Sequence, residues 1–151
     1  MTSYLNPPMV AFAGSSRGVG NHSPPLWLFT DSRRLPDPCA AVARLPIGLC
    51  GVVLRHDGEP GRVKLARRLA RICQARRLKL VVAGDARLAA RIGAGVHLRG
   101  GYWPGPVRPR RGLLTSSAHS VKELRRAAIA GTDAVFLSPV FATASHPDAR
   151  G

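Results

Sequence analysis

A strand–helix–strand rhythm recurs along this chain at roughly 20 to 25 residues per unit, and no other feature restricts its fold so strongly. Apolar strand runs fall at Leu26–Thr30 (LWLFT), Leu49–Leu54 (LCGVVL), Leu78–Ala83, Gly95–Leu98, Leu113–Ser116 and Ala134–Leu137. The last reads apolar on both faces, and such a strand needs cover on both sides, as in a parallel sheet. Helical segments lie between them. A short one fits Pro38–Leu45. Gly61–Ala75 carries an apolar stripe of Val63, Leu65, Ala66, Leu69, Ala70, Ile72 and Cys73. Asp85 is a good N-cap for a helix through Ile92. Ser120 and Glu123 form a capping box for a helix to Ala130, closed by Gly131. The pattern predicts an α/β fold of right-handed βα units. Two closures fit it: an open doubly wound sheet, or a barrel, which in full form has eight units.

The chain has 151 residues, 45% of them apolar, enough for one domain with a core. Met1–Pro25 has no periodicity and is rich in Gly, Ser, Pro and Asn; it reads as a disordered tail before a domain over residues 26–151. Its SSRGVGNH stretch lacks the flanking strand and helix of a phosphate loop. No apolar run approaches the ~20 residues of a membrane span, and the N-terminus lacks a secretory pattern. A soluble, cytoplasmic protein without a membrane partner is expected. Cys39, Cys50 and Cys73 lack metal-ligand spacing. Cys50 enters a strand and Cys73 lies on an apolar helix face, so both read as buried small hydrophobes, without disulfides.

The net charge of +15 raises nucleic-acid binding as one function. Against it, the basic residues are scattered, and Arg67, Arg68, Arg71, Arg76 and Arg77 fall mostly on the solvated side of one helix. Only Lys64, Lys79 and Lys122 of the 23 basic residues are lysine, and aromatic residues rarely interleave with them. Phosphate-bearing small ligands suit the charge better. The stretch after Ala134–Leu137 points the same way: Ser138, Thr143, Ser145 and His146 follow a strand's C-terminal end, where α/β folds place ligands. A polar turn is the plainer reading of the same residues.

Four segments resemble, in order, motifs of the thiamine-phosphate synthase and thiazole tautomerase family. LWLFTDSRRL is similar to LYLVTDR, GAGVHLRG to GADGVHLGQ, TSSAHSVKEL to GVSAHSLEEA, and GTDAVFLSPVFATASHPDA to GADYVGLGPVFPTPTKPDA. The resemblance covers Leu26–Gly151 and implies a (β/α) barrel with six of its eight units in this chain. Strands at the ends of such an incomplete barrel would be open edges inviting self-association. It implies thiamine biosynthesis, with phosphorylated pyrimidine and thiazole partners. The synthases couple hydroxymethylpyrimidine pyrophosphate to thiazole phosphate, and Mg²⁺ supports the departing pyrophosphate. The tautomerases move a proton without a metal.

Carried across by motif, Ser117 and His119 are the catalytic candidates, and Ser117 also contacts phosphate. Arg55, Arg99, Thr143, Ser145 and His146 complete the implied phosphate site, with His146 standing in for a lysine. Arg99 reads equally well as a solvated loop residue. Several family positions differ. Val53 replaces the glutamine and Asp57 the lysine flanking Arg55. Ala83-Gly84 replaces an Asn-Asp pair, and Tyr102 replaces the second metal carboxylate. No metal site is therefore expected, although the family uses Mg²⁺. Asp85 suits a helix cap better than a displaced metal ligand, and His97 suits a packed histidine. The alternatives to an enzyme are a non-catalytic phosphate-ligand-binding paralogue and a basic nucleic-acid-binding module.

Overall fold

Alternation of side chains along each strand builds this molecule around two separate apolar layers. The computed structural model describes residues 11–12, 23–105 and 112–139. In chain order the strands are β1 (Ala11–Phe12), β2 (Leu26–Phe29), β3 (Cys50–Leu54), β4 (Lys79–Ala83), β5 (Gly95–Arg99), β6 (Leu114–Ala118) and β7 (Ala134–Leu137). The helices are α1 (Pro38–Ala43), α2 (Arg62–Ala75), α3 (Ala86–Ile92) and α4 (Val121–Ile129). The sheet order is β1-β7-β6-β5-β4-β3-β2. Strands β2 to β7 are all parallel, and β1 joins β7 antiparallel.

Residues of one parity face the helices. Val52, Leu54, Val82, Val96 and Leu98 pack there with Val42, Ala66, Leu69 and Leu88. Residues of the other parity face inward, where Val53, Val81, Ala83 and Leu113 gather with Trp27 and Phe29. Both faces of the central strands are buried, as the apolar runs require. Val52, Val53 and Leu54 are each 0% exposed, and each contributes about 1.5–3 kcal/mol of burial.

The sheet is rolled rather than flat. In a flat sheet β2 and β7, five neighbours apart, would stand roughly 24 Å from one another. Instead the Trp27 and Phe136 ring centroids are 5.3 Å apart, and Phe29 and Phe136 are 4.9 Å apart. The two ends of the parallel set therefore meet across the interior of a half-barrel. Gly51 permits this: any Cβ there would overlap the indole of Trp27, which lies across the bare backbone. The indole Nε1 donates to the Pro24 carbonyl at 2.9 Å.

The helix ends follow the expected chemistry. Asp37, Asp85 and Ser120 accept from Ala40, Leu88 and Glu123 backbone N–H groups at 2.9, 2.8 and 3.2 Å. The return bond of the capping box is displaced by one residue: Glu123 Oε2 accepts from His119 N at 2.7 Å, not from Ser120. Of the α2 stripe, Ala66, Leu69 and Cys73 are buried and Val63 is exposed. All three cysteines are buried and free.

Three expectations are corrected. The strand expected at Gly95–Leu98 runs on through Arg99, and that at Leu113–Ser116 lies at Leu114–Ala118. Arg99 and Ser117 are thereby strand residues whose orientation is set by the pleat. Ala11–Phe12, read as part of a tail, pairs with Val135 and Phe136, so β7 is not a bare edge. The Val135 side chain, 9% exposed, packs with Ala118 of β6 and Ala127 of α4. No helix among the described residues is long and apolar enough to cross a membrane.

Candidate functional site

The pleat that sends Val53, Val81 and Ala83 inward continues at the C-terminal strand ends, where the inward residues turn polar. Arg55 follows β3, Arg99 ends β5, and Ser117 is near the end of β6. Arg99 and Ser117 are register partners, and so are Ser117 and Phe136. Together they surround a cavity of about 680 Å³ at the mouth of the half-barrel. Its floor is aromatic, formed by Trp27, Phe29, His97 and Phe136; its rim is polar, with Arg55, Asp57, Arg99, Ser117 and His119. A concave site with an apolar base and a few convergent polar groups is the usual form of a small-molecule site.

A line of charges organises the rim. Arg99 Nη2 is hydrogen-bonded to Asp57 Oδ2. Asp57 Oδ1 lies 3.1 Å from Arg62 Nη2, and Arg62 Nη1 lies 3.5 Å from Asp85 Oδ2. Arg62 also donates to the Ala83 carbonyl at 2.6 Å. These pairs are partly open to water, so each adds at most about 1 kcal/mol of stability. Their main consequence is geometric: Asp57, held by Arg62, holds Arg99. Arg55 forms no ion pair among the described residues, which leaves its charge free for a ligand.

Gly84 borders this arrangement. Its φ of +65 is the left-handed region that favours glycine, and a Cβ there would lie in ordinary contact, 3.6 Å from the Arg99 guanidinium carbon. The guanidinium thus faces the position where the family pattern places a metal carboxylate. At the second such position, the Tyr102 ring lies 3.7 Å from the Arg126 guanidinium carbon. The nearby carboxylates, Asp57 and Asp85, are engaged by arginines, and Asp85 also caps α3. Among the described residues no cluster of metal-ligating side chains forms. This donor set does not fit Mg²⁺.

Two histidines face the cavity with different chemistry. His119 is exposed, and its Nδ1 lies 2.5 Å from the Ser138 carbonyl oxygen. A carbonyl can only accept, so Nδ1 carries the proton and Nε2 keeps its lone pair in the neutral ring. His97 is buried, with Nδ1 2.9 Å from Thr115 Oγ1. Burial pushes its pKa down to about 3, and the charges of Arg55 and Arg99 push the same way. It is neutral at any ordinary pH.

Of the residues singled out in the sequence, Arg55, Arg99, Ser117 and His119 converge on this cavity. Thr143, Ser145 and His146 lie outside the described residues. Asp85 is the cap it was expected to be. His97 was expected to be a packed histidine, and it is packed; it also lines the cavity. Sequence reasoning missed Arg62. No local signal set it apart: Lys64 is a cation in the same first turn of α2, exposed and without an ion pair among the described residues. Trp27 and Phe29 did announce themselves as a same-face aromatic pair on one strand.

A family model described as thiamine monophosphate synthase matches residues 29–151. Thiamine-phosphate synthase of Geobacillus kaustophilus is 37% identical over 137 residues, 83% of this chain and 62% of that protein. The Geobacillus thermodenitrificans counterpart is 38% identical over 90 residues, 57% of this chain and 41% of that protein. The chain thus spans less than two thirds of the length of these relatives. A solved structure of thiamine phosphate pyrophosphorylase from Pyrococcus furiosus superposes with a TM-score of 0.63 at 22% identity, covering 80% of this chain and 63% of that one. That likeness speaks for the fold.

Proposed function

The chain belongs to the thiamine monophosphate synthase family, and from that premise we propose that the barrel mouth binds phosphorylated heteroaromatic substrates of thiamine biosynthesis without a metal ion. One observation carries the proposal: Arg99 faces the bare Gly84, at a position where the family pattern has a metal ligand. A guanidinium there neutralises a phosphate or diphosphate directly and offers paired N–H donors in a planar fork. Arg55 adds a second charge, and the Ser117 hydroxyl, with no hydrogen bond among the described residues, adds a neutral donor.

Proton transfer suits this site better than pyrophosphate expulsion. The His119 Nδ1–H···O=C bond orients the ring, so that Nε2 can take a proton from one carbon of a bound carboxythiazole phosphate and return it at another, giving its tautomer. Pyrimidine–thiazole coupling in the synthase manner would rest on the arginines alone to support the leaving pyrophosphate. A non-catalytic phosphate binder is the second reading, favoured by the loss of both metal carboxylates at Gly84 and Tyr102.

The test is calorimetric titration of the full chain with pyrophosphate and thiazole phosphate, with and without chelator, alongside assays of thiamine phosphate formation and thiazole tautomerisation. Binding that survives chelation and is lost in Arg55→Ala/Arg99→Ala supports the site. Loss of tautomerisation in His119→Ala with binding retained marks an enzyme. Mg²⁺-dependent coupling at an ordinary enzymatic rate, ~1 s⁻¹ or faster, overturns the metal-free reading.

A further inference from the structure

We propose that His97 is a fixed N–H donor at the floor of the cavity, positioning a planar ligand ring by hydrogen-bonding a ring nitrogen or carbonyl oxygen. The inference rests on the reading of the mouth as a phosphate site and adds what holds the ring end of the ligand.

The tautomer follows from Thr115. That residue is fully buried, and its hydroxyl has His97 Nδ1 as its sole side-chain or backbone partner among the described residues. A buried hydroxyl proton left without an acceptor is costly. Donation from Thr115 Oγ1 to Nδ1 satisfies it, which requires Nδ1 to be unprotonated. The ring proton of neutral imidazole then resides on Nε2. Nε2 has no protein partner among the described residues, and it is not one of the fully enclosed polar atoms left unbonded. The imidazole borders the cavity, so Nε2–H opens onto it.

The ring is also held still. Phe29 meets it edge-on, with centroids 5.7 Å apart and planes at 87°. Phe136 lies 5.8 Å away at 46°. Both ends of the register place His97 between Ala83 and Thr115, so backbone on each side fixes its height in the half-barrel. Of the charged groups facing it, Arg55 and Arg99 are cations of the rim; they disfavour a protonated imidazole and keep the donor neutral. A neutral, directional donor above a rim of cations suits a ligand with two unlike ends: phosphate at the rim and an uncharged ring acceptor at the floor. It disfavours a ring that presents only donors at that position.

The test separates the two ends. The full chain is titrated with inorganic pyrophosphate and with hydroxymethylpyrimidine pyrophosphate, in the parent and in His97→Phe, His97→Gln and Thr115→Val. The parent should bind the ring-bearing ligand more tightly than pyrophosphate. His97→Phe should keep pyrophosphate affinity and lose on the order of tenfold for the ring-bearing ligand. His97→Gln, which retains an N–H donor, should recover part of that loss. Independently of any ligand, ¹⁵N NMR of the imidazole should show the proton on Nε2 in the parent, with that preference weakened in Thr115→Val. A parent that binds no pyrophosphate overturns the phosphate-site reading and this inference with it. Pyrophosphate binding with equal ring-ligand affinity in parent and His97→Phe overturns this inference alone, as does a proton found on Nδ1.

Discussion

At the residue scale, His97 links burial to a measurable property. Its folded-state pKa, about 3, lies below the unfolded value of 6.5, so protons bind the unfolded chain preferentially. The stability it permits is whole above pH 6.5 and is lost as pH falls toward 3. Between pH 7 and 4.5 the loss attributable to this group is about 2–3 kcal/mol. Urea melts at the two pH values should show it, and His97→Phe should flatten that part of the dependence. An equally steep acid loss in the variant would assign the lability to other groups. Gly51 is a second residue with one reason for its identity. Gly51→Ala would drive a methyl into the Trp27 indole. It should cost about 1–3 kcal/mol by overpacking, read as a lower urea midpoint with an unchanged slope. Cys73 illustrates inertness from the same cause: burial, with Cys39 beside it, pushes its thiol up to about 12.

At the element scale, caps and charge pairs do different work. Asp85 caps α3 through Oδ1 and meets Arg62 through Oδ2. Asp85→Asn keeps an accepting oxygen for the cap and removes the charge, so it should cost well under the ~1 kcal/mol expected of Asp85→Ala. Thermal melts of the pair decide this; a metal-dependent change in binding for Asp85→Asn would instead restore its candidacy as a ligand. Arg62 acts at a distance. Arg62→Ala should leave Asp57 and Arg99 less ordered and weaken pyrophosphate binding several-fold, although Arg62 is not one of the cavity's lining residues. Unchanged affinity would show that Asp57 holds Arg99 unaided. Most elements were legible as sequence because each carries a local signature: apolar runs for the strands, Asp85 and Ser120 for the starts of α3 and α4; the Asp37 cap of α1 emerged only in the structure. β1 was not legible. Two residues have no periodicity, and their strand state comes wholly from the backbone of β7.

At the scale of the whole molecule, rolling the sheet creates the site. It brings Trp27 of β2 and Phe136 of β7 into contact and aims Arg55, Arg99, Ser117 and His119 at one cavity. One edge of the roll is paired by Ala11–Phe12, while the other, β2, has no outer partner among the described residues, and Leu26 is 56% exposed. Removing residues 1–22 should bare β7 as well, lowering the melting temperature and shifting the chain toward larger species in size-exclusion chromatography. A shortened chain that melts and elutes like the parent would show that β1 contributes little. Sequence alone determined the α/β class, the order of the βα units, the caps and the family, because these depend on neighbours three or four residues away and on motif wording. Only the tertiary structure decided which polar residues face each other. The Arg99–Asp57–Arg62 line joins residues up to 42 positions apart, and His97 becomes a neutral donor through its burial, its Thr115 partner and the charges of Arg55 and Arg99. Contacts of that kind depend on how far the sheet rolls, which no local pattern encodes.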